Sequence, residues 1–257
     1  MTNMKTRRSP RISCAKLGEY MVSSPTRRRR IISDQKWPSD FIAPRYTEAQ
    51  EVVAGFIRRG GNDISLIECA IDRLLKASAK SKWHEQKNEL CIDALKSFMN
   101  VAPDLDLRGY ALRQTGNRQA KMKMGGVEIS VRPELLVRIE RKGKPSSAGA
   151  IKLYFSKNNR LSADAANYVG TMLHEFACEF VPPLETAAPG DCILIDVFAE
   201  RIYLAPRATK RRRSELIDGC AEIATMWDSI AEPKERTIYR TRGTKSVGAS
   251  VGVVRKN

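Results

Sequence analysis

Hydrophobic positions recur at helical spacing through the first part of the chain and at every second residue in the stretch that follows. From Thr47, the side chains of Val52, Val53, Phe56 and Ile57 share one helical face, with Thr47 as the expected N-cap and Gly60-Gly61 as the stop. Asp63 to Ala79 reads as a second helix with Ile67, Ile71 and Leu74 turned inward, and Trp83 to Met99 as a third. Upstream, Ser13 is placed to cap a short helix through Met21, which Ser23, Ser24 and Pro25 then break. The arginine run Arg27, Arg28, Arg29 and Arg30, with the pairs Trp37-Pro38 and Ala43-Pro44, predicts an extended segment wrapped on the body.

The period then changes to two. Val127, Ile129 and Val131 alternate with Glu128, Ser130 and Arg132, and Leu135, Val137 and Ile139 with Glu134, Leu136 and Arg138. After a polar turn at residues 142–147, Ile151, Leu153 and Phe155 alternate with Lys152, Tyr154 and Ser156. Asp164 to Phe180 is helical and ends before Pro182-Pro183. Cys192 to Phe198 and Arg201 to Leu204 read as two strands turning at Ala199-Glu200, and Ser214 to Ile230 as an amphipathic helix. This order predicts an α/β fold, a mixed central β-sheet flanked by helices with an N-terminal helical layer. Residues 1–46 are expected as a basic N-terminal arm or extension, 47–232 as the α/β domain, and 233–257 as a basic flexible C-terminal tail.

Charge changes the picture from fold to partner. Forty-five Lys and Arg stand against 29 Asp and Glu, a net charge of +16. The surplus is clustered, at Arg27–Arg30, at Lys210, Arg211, Arg212 and Arg213, and in a tail holding Arg236, Arg240, Arg242, Lys245, Arg255 and Lys256. Clustered cations concentrate polyanions and gain from counterion release, so a nucleic acid is the expected partner. An anionic lipid surface is the duller alternative, and no amphipathic lipid anchor supports it. The six cysteines form no CxxC pair, which argues against a zinc finger and a disulfide framework and for reduced thiols. No apolar signal core opens the chain and no segment has transmembrane length, so a cytoplasmic location is expected.

Several chemistries are missing. There is no GxxxxGK[ST] loop, no GxGxxG after a strand, and no HExxH; His174-Glu175-Phe176-Ala177-Cys178 puts a thiol where a second His belongs. Two histidines, His84 and His174, leave no His-rich metal site. The pair of helices around Gly60-Gly61 makes a poor helix-turn-helix, because its second helix carries Asp63, Glu68 and Asp72. No RNP-type aromatic motif or GXXG loop points to RNA, so DNA is the expected nucleic acid.

The informative stretch runs from Val127 to Phe180: strand, Arg132-Pro133-Glu134, strand, polar turn, Gly149-Ala150-Ile151-Lys152, then a helix with Asp164 and Tyr168. It resembles the PD-(D/E)XK nuclease superfamily, especially its RecB-like branch. In that pattern a Pro-acid pair opens one strand, an acid-x-Lys triplet lies on the next, and a helix with a polar-xxx-Tyr pair follows. The resemblance implies a restriction-endonuclease-like core and a Mg²⁺- or Mn²⁺-dependent deoxyribonuclease, of a kind used in restriction, repair, mobile elements and phage defence. It implies Glu134 as a metal-binding acid and Lys152 as the catalytic lysine. An acid on the preceding helix, Glu48 or Glu51, would add a ligand, and Asp164 and Tyr168 would support the site or contact DNA. The chemistry is coherent: carboxylates suit a hard cation, which activates water and offsets phosphate charge, while a lysine orients that water. One position departs from the pattern, since Ala150 stands where the second acid is expected and cannot ligate a metal. Glu128, Glu140 or Glu175 would have to compensate. If none does, the implied alternative is a catalytically inactive DNA-binding subunit of a larger nucleoprotein assembly. Arg132, Arg138, Lys157 and Arg160 lie near the motif in sequence as phosphate contacts, Lys210–Arg213 open a helix whose amides favour phosphate, and Tyr154 and Tyr168 are candidates to stack on bases.

Overall fold

The computed structural model describes residues 6–38, 45–78, 81–116, 120–140, 143, 145–180 and 185–233. Its elements, in chain order, are β1 (Arg11–Ser13), α1 (Cys14–Met21), α2 (Pro25–Lys36), α3 (Thr47–Arg58), α4 (Ser65–Lys76), α5 (Lys82–Val101), β2 (Tyr110–Gln114), β3 (Met122–Met124), β4 (Val127–Ser130), β5 (Leu135–Ile139), β6 (Ser147–Tyr154), α6 (Ala163–Phe180), β7 (Thr186–Asp196), β8 (Arg201–Leu204) and α7 (Lys210–Trp227). The main sheet has the order β2-β5-β6-β7-β8, and a small sheet the order β1-β4-β3. Only β6 and β7 pair in parallel in the main sheet, as they must when α6 carries the chain between them. The chain is therefore an α/β protein with mixed sheets flanked by helices, as expected.

Two apolar cores cover the two faces of the main sheet. Leu135, Val137, Ile151, Leu153, Ile193 and Ile195 pack with α3, α4 and α5. Ala150, Cys192 and Leu194 pack with α1, α2, α6, α7 and the small sheet. The strict alternation in β6 therefore does not mark a wet face: Ala148 and Ala150 are 4% and 0% exposed. Their small side chains carry little hydrophobic signal, yet Ala150 sits in the core beneath α1 and α6, and those two helices pack closely on each other. On Gly18 of α1 a Cβ would meet Val169 at 2.7 Å and the Ala165 carbonyl at 2.8 Å, both on α6.

The N-terminal segment differs from expectation. The arginine run is helical, not extended. Ser24 caps α2 by accepting from Arg27 N at 3.4 Å, Pro25 takes the first turn, and Ile31 and Ile32 are buried. Lys36 Nζ donates to the carbonyls of Trp227 at 2.8 Å and Ile230 at 3.0 Å, tying α2 to the end of α7. β1 pairs with β4 and α1 lies on α6, so residues 11–36 are built into the body rather than hung from it as an arm. Ser13 caps α1 as expected, accepting from Lys16 N at 3.3 Å. Thr47 does not cap α3: Tyr46 is the N-cap residue and gives no side-chain bond. The expected tail lies outside the described residues from 234 onward, its Arg236–Lys256 cations included.

All six cysteines are free, four of them buried. Among the described residues, no helix is long and apolar enough to cross a membrane.

Candidate active site

Arg132 has φ of +48°, a left-handed backbone unusual for a residue with a side chain, and Pro133 follows it. These two residues end the β5–β6 ladder at Leu135↔Ile151. Beyond that end, the amide of Leu153 donates to Glu134 Oε2 at 2.6 Å, so the carboxylate replaces a backbone acceptor. Glu134 Oε1 accepts from Gln50 Nε2 of α3 at 2.6 Å. Lys152 Nζ donates to the Arg132 carbonyl at 2.9 Å, and Thr115 Oγ1 to that of Pro133 at 2.5 Å, so the bent turn is held from both sides. Positions 134 and 152 become neighbours because two strands pair there, and α3 crosses the same sheet end with Gln50 and Glu51.

These residues line one cavity of about 610 Å³. Among the described residues, its charged lining consists of Glu51 and Glu134 with Arg45, Arg132 and Lys152. The geometry selects Glu51 over Glu48, which is ion-paired to Arg73 at 2.8 Å and does not line the cavity. Glu51, Glu134 and the Gln50 amide oxygen are hard oxygen donors. Each Glu134 oxygen uses one lone pair in the bonds described and retains another. Such a set fits a largely hydrated Mg²⁺ or Mn²⁺, which takes one or two carboxylates and completes its shell with water and phosphate oxygens. It does not make a dedicated cage: no group of three His, Cys, Asp or Glu suited to a metal occurs among the described residues.

Among the described residues, no acid replaces the one missing at position 150. Glu128 is paired with Lys121 at 2.7 Å, Glu175 with Arg213 at 2.7 Å, and neither they nor Glu140 line the cavity. Ala150 itself faces the α1–α6 core. Beside that core, burial pushes the Cys14 thiol up, an effect the Lys152 ammonium opposes. A glutamate introduced by Ala150→Glu would thus be desolvated, its folded pKa raised above its unfolded value. The packing cost of the added bulk is present at every pH, while the cost of keeping the carboxyl from ionising is absent when both states are protonated and grows as pH rises above about 4. We expect Ala150→Glu to destabilise the protein by about 3 kcal/mol at neutral pH. The gap between the thermal melts of parent and variant should narrow, without closing, as pH falls toward 4. A variant as stable as the parent at pH 7 would mean that position 150 opens to the cavity.

The remaining residues singled out from the sequence lie elsewhere. None of Arg138, Tyr154, Lys157, Arg160, Asp164, Tyr168, Lys210–Arg213 or Arg27–Arg30 lines the cavity. Arg138 is paired with Glu185 at 2.9 Å beside a second cavity, and Lys157 with Asp93 at 2.6 Å. Tyr154 OH donates to the Asn159 carbonyl at 2.6 Å and Tyr168 OH to Glu215 at 2.6 Å, both partly buried and therefore packing residues rather than free stacking platforms. Arg27 is clamped to the buried Glu19, and Arg28 donates to the Tyr20 carbonyl at 3.1 Å and to Glu222 at 3.2 Å. Arg211 and Arg213 are paired with Glu215 and Glu175, and Arg212 reaches the Ala208 carbonyl. Arg29, Arg30, Arg160, Asp164 and Lys210 are exposed. The structure adds Arg45, Tyr46, Gln50 and Phe155 to the cavity. Phe155 was visible only as the last apolar position of an alternating strand; the other three carry no spacing signal.

No family model matches the chain, and no curated protein matches it in sequence.

Proposed function

We propose that this chain binds DNA and hydrolyses its phosphodiester backbone in the cavity where Glu51, Glu134 and Lys152 meet. The observation that carries this reading is the convergence itself: α3, the turn into β5, and β6 each deliver the residue type that phosphodiester hydrolysis needs. The PD-(D/E)XK resemblance supports it, as does the net charge of +16. Glu51 and Glu134 would hold Mg²⁺ or Mn²⁺, which when bound makes water more acidic and offsets phosphate charge. Lys152 would orient the attacking water and counter the charge developing on phosphate, exchanging its bond to the Arg132 carbonyl for one to the reacting group. Arg45 and Arg132 would grip the phosphates on either side. The reading places the protein in the cytoplasm, in DNA processing, mobile-element or phage-defence work.

A second reading rests on Ala150. Because a buried alanine occupies the second acid's place, the fold would serve as a non-catalytic DNA-binding subunit of a nucleoprotein assembly.

Incubation of supercoiled and linear DNA with Mg²⁺ or Mn²⁺, with and without chelator, separates the two. Cutting that chelator abolishes, and that Lys152→Ala loses while still binding DNA, is the expected result. DNA bound in a salt-sensitive manner but never cut would establish the non-catalytic reading, and absence of binding would remove both.

A further inference from the structure

We propose that the cavity receives one nucleotide of an unpaired DNA strand, its base stacked on a wall formed by Phe155 and Tyr46. This rests on the proposed function and goes further, naming single-stranded or frayed DNA as the substrate class.

Three observations carry it. The first is the wall. Tyr46, just before α3, and Phe155, just after β6, both line the cavity. Their rings are stacked, with centroids 5.7 Å apart and planes 20° from parallel. Phe198, itself buried, braces Tyr46 edge-on at 5.4 Å. The rings are thus held in place before any base arrives, which lowers the ordering cost of stacking. The second is spacing. Phe155 follows Lys152 by three positions along extended chain, a span of about 10 Å. That is comparable with the reach from a backbone phosphate to its base, so a phosphate at Lys152 would leave its base near Phe155.

The third observation is size. A volume of about 610 Å³ lies in the range that encloses single small ligands. A duplex, whose major groove alone is about 12 Å wide, cannot enter with its bases paired. A paired base also has both faces covered by its neighbours, so only an unstacked one can offer a face to Phe155. Arg45 and Arg132, both exposed, stand ready for the phosphates that flank the inserted nucleotide.

The test compares a fluorescein-labelled oligothymidylate with an abasic strand of equal phosphate count, by anisotropy in the presence of chelator. Since no metal is present, the result does not depend on cleavage. The parent should bind oligothymidylate about tenfold more tightly than the abasic strand. Phe155→Leu, which keeps apolar bulk but removes the ring, should collapse that preference toward unity. Phe155→Trp should retain it, which guards against reading a misfolded Leu variant as support. Equal affinities in the parent, or a preference that survives Phe155→Leu, would overturn the base-stacking wall and leave the proposed function standing. Failure to bind either strand would overturn the nucleic-acid reading itself.

Discussion

Glu134→Gln should lower metal-dependent DNA cleavage by about a thousandfold or more while the protein stays folded and still binds DNA. The substitution preserves shape and removes charge. Its local hydrogen bonds can be kept: the remaining side-chain oxygen still accepts from Leu153 N, and Gln50 can turn its own amide oxygen toward the new NH₂ group. The cost to stability is therefore small. What is lost is one of the two carboxylates that line the cavity among the described residues. A bound cation contributes several kcal/mol of transition-state stabilisation, and about 4 kcal/mol corresponds to a thousandfold in rate. The measurement is single-turnover cleavage beside a thermal melt. A large fall in rate with little change in melting temperature supports the catalytic role. A large fall in melting temperature with cleavage intact would show that Glu134 serves only to staple the ends of β5 and β6 to α3.

The helices α3 to α7 and the strands β4 to β6 were legible because each repeats its pattern over several turns or pleats. The failures have equally specific causes. β1 and β3 have three residues each, too few for any period, and exist only because β4 offers both edges. α2 was hidden by its own signal: Ser23, Ser24 and Pro25 stop one helix, yet Ser24 and Pro25 also cap and start the next. The four arginines then masked Ile31 and Ile32, the two residues that bury it.

The site divides along the same line. Glu134, Lys152 and Glu51 were reachable from the spacing of a known pattern, and the structure brings them to one cavity. Proximity in sequence served less well for the cations. Arg138 lies on β5, which starts beside the site, but near the strand's far end, paired with Glu185. Arg27, Arg28 and Arg213 spend their charge on Glu19, Glu222 and Glu175. A run of arginines reports abundant charge but not free charge, and only the fold distinguishes them. Arg45 shows the converse: isolated in sequence, it is exposed at the cavity.

Gly149→Ala should cost about 3 kcal/mol or more and lower the melting temperature by about 10 °C, although it adds a single methyl group. Gly149 sits where the β6–β7 pairing shifts register, between Ala148↔Ala187 and Ala150↔Cys192. The extra residues of β7 swing its backbone over Gly149, so that an added Cβ would overlap the Asp191 carbonyl and lie 2.7 Å from Asp191 Cβ. Neither side can retreat. Ser147 Oγ donates to Asp191 Oδ2 at 2.5 Å in a buried bond, and Asp191 is only 6% exposed. On the other side, Gly149 is paired with Val137 of β5 in the middle of the sheet. The strain also reaches the cavity, because β6 carries Lys152 three residues further on. Gly55→Ala is the control: in α3 nothing lies within 4 Å of the added Cβ, so stability should hold or rise slightly. Thermal or urea denaturation of both variants checks the pair. Should Gly149→Ala melt with the parent, β7 does not cross β6 at close range, and the sheet end that brings Lys152 to Glu134 would have to be assembled differently.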